Sequence, residues 1–262
     1  MTPPPRFLVV AIHGFLGRPS DWDPVVPHLP RARLRPIDLW PVLDGTRAGW
    51  DTVGASLGRA VDDVLARDTL RPAILAAYSF GARLALAVPG LDAGEGALAA
   101  ACLVSAHPGL SDERSRLARR AADREWARRL LEDPEEDVLR DWDAQPVLAR
   151  SGARGAGRRF PASRETLAAA MTGLSLAEQP DFRPRLAAWR APLLWIAGGD
   201  DAKFAGLAGE IAAIGLAADV EIVAGAGHRV PFDAPAAFAR AFTSWVDKRV
   251  PRRGDADGTR RT

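Results

Sequence analysis

Ser79 stands in the run Ala73-Ile-Leu-Ala-Ala-Tyr-Ser-Phe-Gly-Ala-Arg83, where an apolar segment meets a serine and then a small-residue helix read over 81–88. A tight strand–serine–helix turn of this kind lifts a hydroxyl clear of a sheet. Its neighbours must be small, because the serine backbone is strained and the helix packs closely on the strand. A serine hydroxyl is a poor nucleophile and a poor base at neutral pH, so it needs a histidine to take its proton. A carboxylate then holds the imidazole in the useful tautomer and stabilises its cation. Both partners occur downstream. Gly198-Gly-Asp-Asp-Ala-Lys-Phe204 follows one apolar run, and Ala224-Gly-Ala-Gly-His-Arg-Val-Pro231 follows the next. His228 is the candidate base. Asp200 and Asp201 compete for the acid role, since adjacent residues point in different directions and only one can face His228. The backbone amides of Phe80, after the serine, and Phe15, in the loop His13-Gly-Phe-Leu-Gly17, are assigned as an oxyanion hole. Such donors are worth ~2.7–4 kcal/mol each where negative charge develops.

The elements that must position these residues alternate along the chain. Residues 7–12 form a continuous apolar run, read as a strand buried on both faces. A short helix capped by Ser20 or Asp21 is expected after the glycine-rich loop. Strands are read at 34–37, 73–77, 100–105, 192–196 and 220–223, with a helix over 52–66 and a last amphipathic helix over 235–249. Alternation of this kind gives an α/β fold, a mostly parallel sheet with helices on both faces. One stretch interrupts it. Residues 111–180 are rich in Arg, Asp and Glu at helical spacing and hold no strand-like run, so they read as a helical cap inserted over the carboxyl ends of the strands, where such sheets bind ligands. The core then comprises 1–110 and 181–250, and the polar tail 251–262 is expected to be disordered.

Composition excludes several classes. Thirty-five basic residues against 33 acidic ones imply no general attraction to nucleic acid or membrane. No apolar stretch approaches the ~20 residues of a transmembrane helix. The single cysteine, Cys102, lies in an apolar run as a small buried hydrophobe, so no intrachain disulfide is possible; this fits a cytoplasmic protein, as does an N-terminus unlike a signal peptide. Lys203 and Lys248 are the only lysines and Tyr78 the only tyrosine. No metal ligand set is read. Monomer and homo-oligomer fit the sequence equally.

The order Ser…Asp…His is that of the α/β-hydrolases. Within that superfamily His13-Gly-Phe-Leu-Gly with Asp21-Trp22, Tyr78-Ser-Phe-Gly-Ala-Arg83, Pro108-Gly-Leu110, Trp142-Asp-Ala-Gln-Pro146, Ser175-Leu-Ala-Glu-Gln-Pro180, Asp201-Ala-Lys-Phe204 and Ala226-Gly-His228 resemble one branch. That branch is the 2-succinyl-6-hydroxy-2,4-cyclohexadiene-1-carboxylate synthases of menaquinone biosynthesis, and the resemblance covers nearly the whole chain. It implies an α/β-hydrolase fold, no cofactor, and a lyase that eliminates pyruvate from a small anionic cyclohexene, with the serine–histidine pair as base. The acid it implies is Asp201. Its substrate-binding residues fall on Tyr78, Arg83, Arg119, Trp142, Arg159 and Lys203, where arginines would supply planar partners for carboxylates. The neighbours Arg120 and Arg158 leave the two cap positions open. Three residues depart from the branch: Ala77 replaces the elbow glycine, Gly199 replaces a glutamate, and Asp143 replaces an aromatic after the cap tryptophan, bringing an acid towards an anionic substrate. The same serine, histidine and acid also suit a carboxylesterase or thioesterase acting on a small acidic ester. A third reading is a non-catalytic binding module, against which the three intact residues speak.

Overall fold

The computed structural model describes residues 4–43, 49–94, 96–151, 157–214 and 218–250; the tail 251–262 lies outside them. Six parallel strands form one sheet: β1 (Phe7–Ile12), β2 (Ala32–Ile37), β3 (Ala73–Tyr78), β4 (Leu98–Val104), β5 (Leu193–Gly198) and β6 (Ala218–Val223), in the order β2-β1-β3-β4-β5-β6. Every residue of β1, β3 and β5 is buried, as continuous apolar runs in a doubly covered parallel sheet should be. The sheet separates two hydrophobic clusters. Leu8, Leu75, Leu103 and Trp195 face one, and Val9, Ile74, Cys102 and Phe242 face the other. Cys102 is fully buried, and that burial pushes its thiol pKa up.

The helices follow in chain order. A 3-10 helix covers Pro19–His28, then come α1 (Leu39–Leu43), α2 (Trp50–Arg67) and α3 (Phe80–Ala85). Between β4 and β5 lie α4 (Glu113–Glu132), α5 (Glu135–Asp143), α6 (Arg164–Gly173) and α7 (Arg183–Ala187). The chain closes with α8 (Ala202–Ala213), α9 (Val230–Asp233) and α10 (Pro235–Arg249).

Several expected boundaries are corrected. The N-cap position of the 3-10 helix is Arg18, not Ser20 or Asp21, because Pro19 at the first helical position starts the helix two residues earlier than a Ser20 cap would. The Asp21 carboxylate instead accepts the Arg18 amide at 3.1 Å. The second strand begins at Ala32, and the helix after Ser79 stops at Ala85. Helix α8 is absent from the sequence reading, so Asp201 is the N-cap of a helix and not a plain loop residue.

Candidate active site

Strand β3 ends at Tyr78, and Ser79 turns the chain with φ 53° and ψ −111° into α3. The Ser79 amide donates to the Val104 carbonyl at 2.8 Å, tying the turn to β4. A Cβ on Gly81 would lie 2.4 Å from the His13 carbonyl oxygen, so only glycine lets α3 pack against the end of β1. Ala77 sits in β3 with its side chain fully buried and pairs with Ile12 and Leu103, so the extra methyl is absorbed by the sheet. Among the described residues, the non-glycine residues with positive φ are Leu16, Ser79 and Ser105. All three lie just beyond β1, β3 or β4, so backbone strain gathers at one end of the sheet.

At that end a hydrogen-bonded relay is complete. Ser79 Oγ lies 2.9 Å from His228 Nε2, and His228 Nδ1 lies 2.8 Å from Asp201 Oδ2. The other carboxylate oxygen, Oδ1, accepts the Phe204 amide at 3.2 Å and so caps α8. One side chain therefore orients the imidazole and starts a helix. Asp200 is exposed and its amide donates to the Ala226 carbonyl, away from this relay. The Phe204 ring meets the His228 ring edge-on at 4.4 Å. The His228 backbone is pinned on both sides: Ser105 Oγ donates to its carbonyl at 2.8 Å, the Gly227 amide donates to Asp233, and the Arg229 amide donates to Ser151 Oγ.

The relay opens on a cavity lined by Phe15, Tyr78, Ser79, Phe80, Arg83, His107, Arg119, Asp123, Trp142, Lys203, His228 and Arg229, with Gln145, Leu148, Met171, Leu174 and Ser175 completing the side towards α4–α6. Phe80 begins α3, so its amide has no partner within that helix and is available to a ligand. The Phe15 ring packs on Phe80 at 5.5 Å and on Trp142 at 5.1 Å, linking the sheet end to α5.

The candidate cations separate into three situations. Arg83 has its guanidinium among neutral partners, Nε donating to Gln179 Oε1 at 2.6 Å and Nη2 to the Leu174 carbonyl at 2.7 Å. Its carbon also lies 5.4 Å from the Trp50 ring centre. Burial, aided by the neighbouring Arg119, pushes its pKa down to about 9, the sign of a cation short of counter-charge. Lys203 reaches the cavity from an exposed position, and among the described residues it makes no ion pair. Its pKa is held below the usual lysine value by partial burial first and Arg119 second. Arg119 lines the cavity but is held by both oxygens of buried Asp123, at 2.8 and 2.9 Å, while Ser175 Oγ donates to the same carboxylate at 2.6 Å.

Arg159 departs from the expectation. It does not line the cavity, its side chain is 74% exposed, and it pairs with Glu135 at 3.3 Å. Its neighbour Arg158 pairs with Asp143 at 2.8 Å, and Arg120 pairs with Glu178 at 2.7 Å. Asp143 is not a bare acid facing the cavity either, because it also pairs with buried Arg229. His107, Gln179, Asp123 and Arg229 were missed as site residues. His107, Gln179 and Arg229 had a sequence signal, since they lie beside or within Pro108-Gly-Leu110, Ser175–Pro180 and Ala226-Gly-His228, whereas Asp123 had none.

No helix among the described residues is long and apolar enough to cross a membrane. A model of the alpha/beta hydrolase family matches residues 9–241. The chain is 33% identical over 237 residues to 2-succinyl-6-hydroxy-2,4-cyclohexadiene-1-carboxylate synthase of Salmonella paratyphi A, covering 87% of this chain and 89% of the relative. It is 33% identical over 243 residues, with the same coverage, to the synthase of Salmonella paratyphi C. Among solved structures, MenH from S. aureus superposes with a TM-score of 0.79 at 21% identity, covering 93% of this chain and 94% of that one. A thermophilic esterase from Thermogutta terrifontis superposes with a TM-score of 0.69 at 18% identity, covering 93% and 90%. With its parallel sheet, its strained serine turn and this match over most of its length, the chain belongs to the alpha/beta hydrolase family.

Proposed function

We propose that the protein is a lyase that eliminates pyruvate from 2-succinyl-5-enolpyruvyl-6-hydroxy-3-cyclohexene-1-carboxylate, giving 2-succinyl-6-hydroxy-2,4-cyclohexadiene-1-carboxylate. The reading is supported most by one observation: the Ser79–His228–Asp201 relay shares its cavity with Arg83, a half-buried cation whose hydrogen bonds go to neutral groups. A neutral ester needs no such cation; a substrate with several carboxylates does. Residues 111–180 serve as the cap that closes this cavity over the sheet.

In the reaction, His228 draws the proton from Ser79 Oγ, and the hydroxyl oxygen removes the ring hydrogen at C2, next to the succinyl carbonyl. The C2–H electron pair forms the C2=C3 bond, the ring alkene moves to C4=C5, and the C5–O bond breaks. The leaving enolate takes up a proton and becomes pyruvate. Charge that builds on the succinyl carbonyl oxygen is held by the Phe15 and Phe80 amides. Asp201 stabilises the imidazolium in between. Arg83 and Lys203 hold carboxylates, Arg119 contributes from the cap, and Tyr78 and Trp142 wall the ring.

The test is pyruvate release from the enolpyruvyl substrate, followed by a coupled dehydrogenase assay. Release that disappears in Ser79→Ala supports the lyase. An absent release, together with a nitrophenol burst from a nitrophenyl ester, moves the assignment to the esterase reading, which the same relay geometry permits.

A further inference from the structure

His107 is a buried ring that the elimination leaves without a role. It is 4% exposed and lines the cavity from the loop after β4. The following Pro108 has no amide hydrogen, and Gly109 turns the chain back at φ 126°. Only glycine fits there, because a Cβ would lie 2.7 Å from the Pro180 carbonyl oxygen. The turn brings the Gly109 amide to His107 Nδ1 at 3.1 Å. A nitrogen that accepts an N–H cannot carry a proton, so the ring hydrogen resides on Nε2. Nε2 has no hydrogen-bond partner among the described residues, yet it is not one of the sealed-off polar atoms that lack a partner. It therefore opens on the cavity as a donor.

The ring is held there from several sides. Gln179 Nε2 donates to the His107 carbonyl at 2.7 Å while its Oε1 takes Arg83, so His107 and Arg83 are fixed by one amide. Phe204, which packs edge-on against His228, also meets the His107 ring edge-on at 6.2 Å.

We propose that His107 Nε2–H is a substrate-binding donor, a neutral group in the cavity that Arg83 and Lys203 also line, which binds a carboxylate or carbonyl oxygen of the anionic substrate. The proposal deepens the lyase reading and rests on it. Burial, with Lys203 and Arg83 adding their repulsion, pushes the His107 pKa down to about 3, so the ring stays neutral at working pH. A third cation at this point would repel the other two. A neutral donor adds a hydrogen bond without that cost, and its tautomer is set before the ligand arrives.

The experiment compares wild type with His107→Phe, which keeps a ring but no donor, and His107→Gln, which returns an N–H at similar reach. The probe for binding is 2-(3-carboxypropanoyl)benzoate, a stable aromatic dicarboxylate with the same succinyl and ring carboxylate groups, titrated by calorimetry. Pyruvate release and melting temperature are followed in parallel. His107→Phe should weaken probe binding and raise KM by about tenfold, the scale of a hydrogen bond to a charged group. His107→Gln should recover most of this, and melting temperatures should not track the losses. Unchanged probe binding and KM in a folded His107→Phe protein would overturn the proposal, as would losses that follow melting temperature in both variants. If wild type binds the probe through His107 but releases no pyruvate, the lyase reading fails and the donor role stands.

Discussion

The floor of the cavity and the helices above it are held together by opposite means. On the floor, polar side chains form one continuous chain of hydrogen bonds at short fixed distances, and the serine that begins it turns on a strained backbone just past a fully buried strand. Ser79, Asp201 and His228 are the example. Above it, α4 has twenty residues of which only Asp123, Ala127 and Leu130 are buried. Much of its attachment comes from arginines: Arg116 donates to the carbonyls of Leu110, Ala177 and Gln179, Arg164 donates to those of Leu130 and Asp133, and Arg129 bridges Asp133 and Asp141. These part-buried bonds join a few fully buried side chains, Leu130, Val138 and Leu167, while the more exposed ion pairs of this layer contribute only about 0–1 kcal/mol each. A floor built from close packing tolerates little change. A layer built from arginine pairs can exchange partners, and it is there that Arg159 proves to face outward.

The comparison is best broken at its strongest point. Ser79→Ala or His228→Ala should lower pyruvate release by roughly ten-thousandfold with little change in melting temperature, because members of one proton relay fail together. A loss under tenfold would mean that the floor is not the reacting centre. Next is Arg83→Met, which keeps much of the apolar stem but removes the cation. KM for the enolpyruvyl substrate should rise about a hundredfold while cleavage of a neutral nitrophenyl ester, if present, is spared. Equal loss on both would make Arg83 a structural strut to Gln179 and Leu174.

Smaller effects should come from the seam and the upper layer. Asp143→Asn removes the carboxylate that pairs Arg229 with Arg158, leaving the buried Arg229 without that counter-charge. A cost of about 2 kcal/mol is expected, seen as a fall of several degrees in melting temperature. No change would mean that the seam between α5 and the His228 loop carries little of the stability. Arg159→Ala should be nearly silent, within about 0.5 kcal/mol and without a change in KM, as for an exposed side chain paired only at the surface. A tenfold rise in KM would require the upper layer to rearrange when substrate binds.

Legibility follows the same division. The serine turn could be read because Phe80-Gly81 must be small at its second position, and the collision of a Cβ with the His13 carbonyl shows why. The strands could be read because a parallel sheet covered on both faces demands unbroken apolar runs. Helix α8 was hidden, since Ala202-Lys-Phe-Ala-Gly-Leu-Ala-Gly carries two glycines and weak amphipathic contrast, and its cap is an aspartate that also serves the histidine. The cap arginines were hidden for a different reason. In a run such as Arg119-Arg120, helical spacing shows that the two point apart but not which one meets Asp123.

By itself the sequence determined the alternation of strands and helices, the place of the inserted helical stretch, and the serine and histidine of the relay, with two adjacent aspartates between them in chain order. Those depend on local demands: periodicity, small residues at a strained turn, and polar groups just past apolar strands. The tertiary structure alone decided which acid meets His228, that Arg83 stays without a carboxylate while Arg119 does not, that Asp143 is neutralised by Arg158 and Arg229, and that His107 turns its donor nitrogen to the cavity. A charged or titratable side chain takes its character from what lies within hydrogen-bond reach, and that neighbourhood is assembled from segments far apart in the chain.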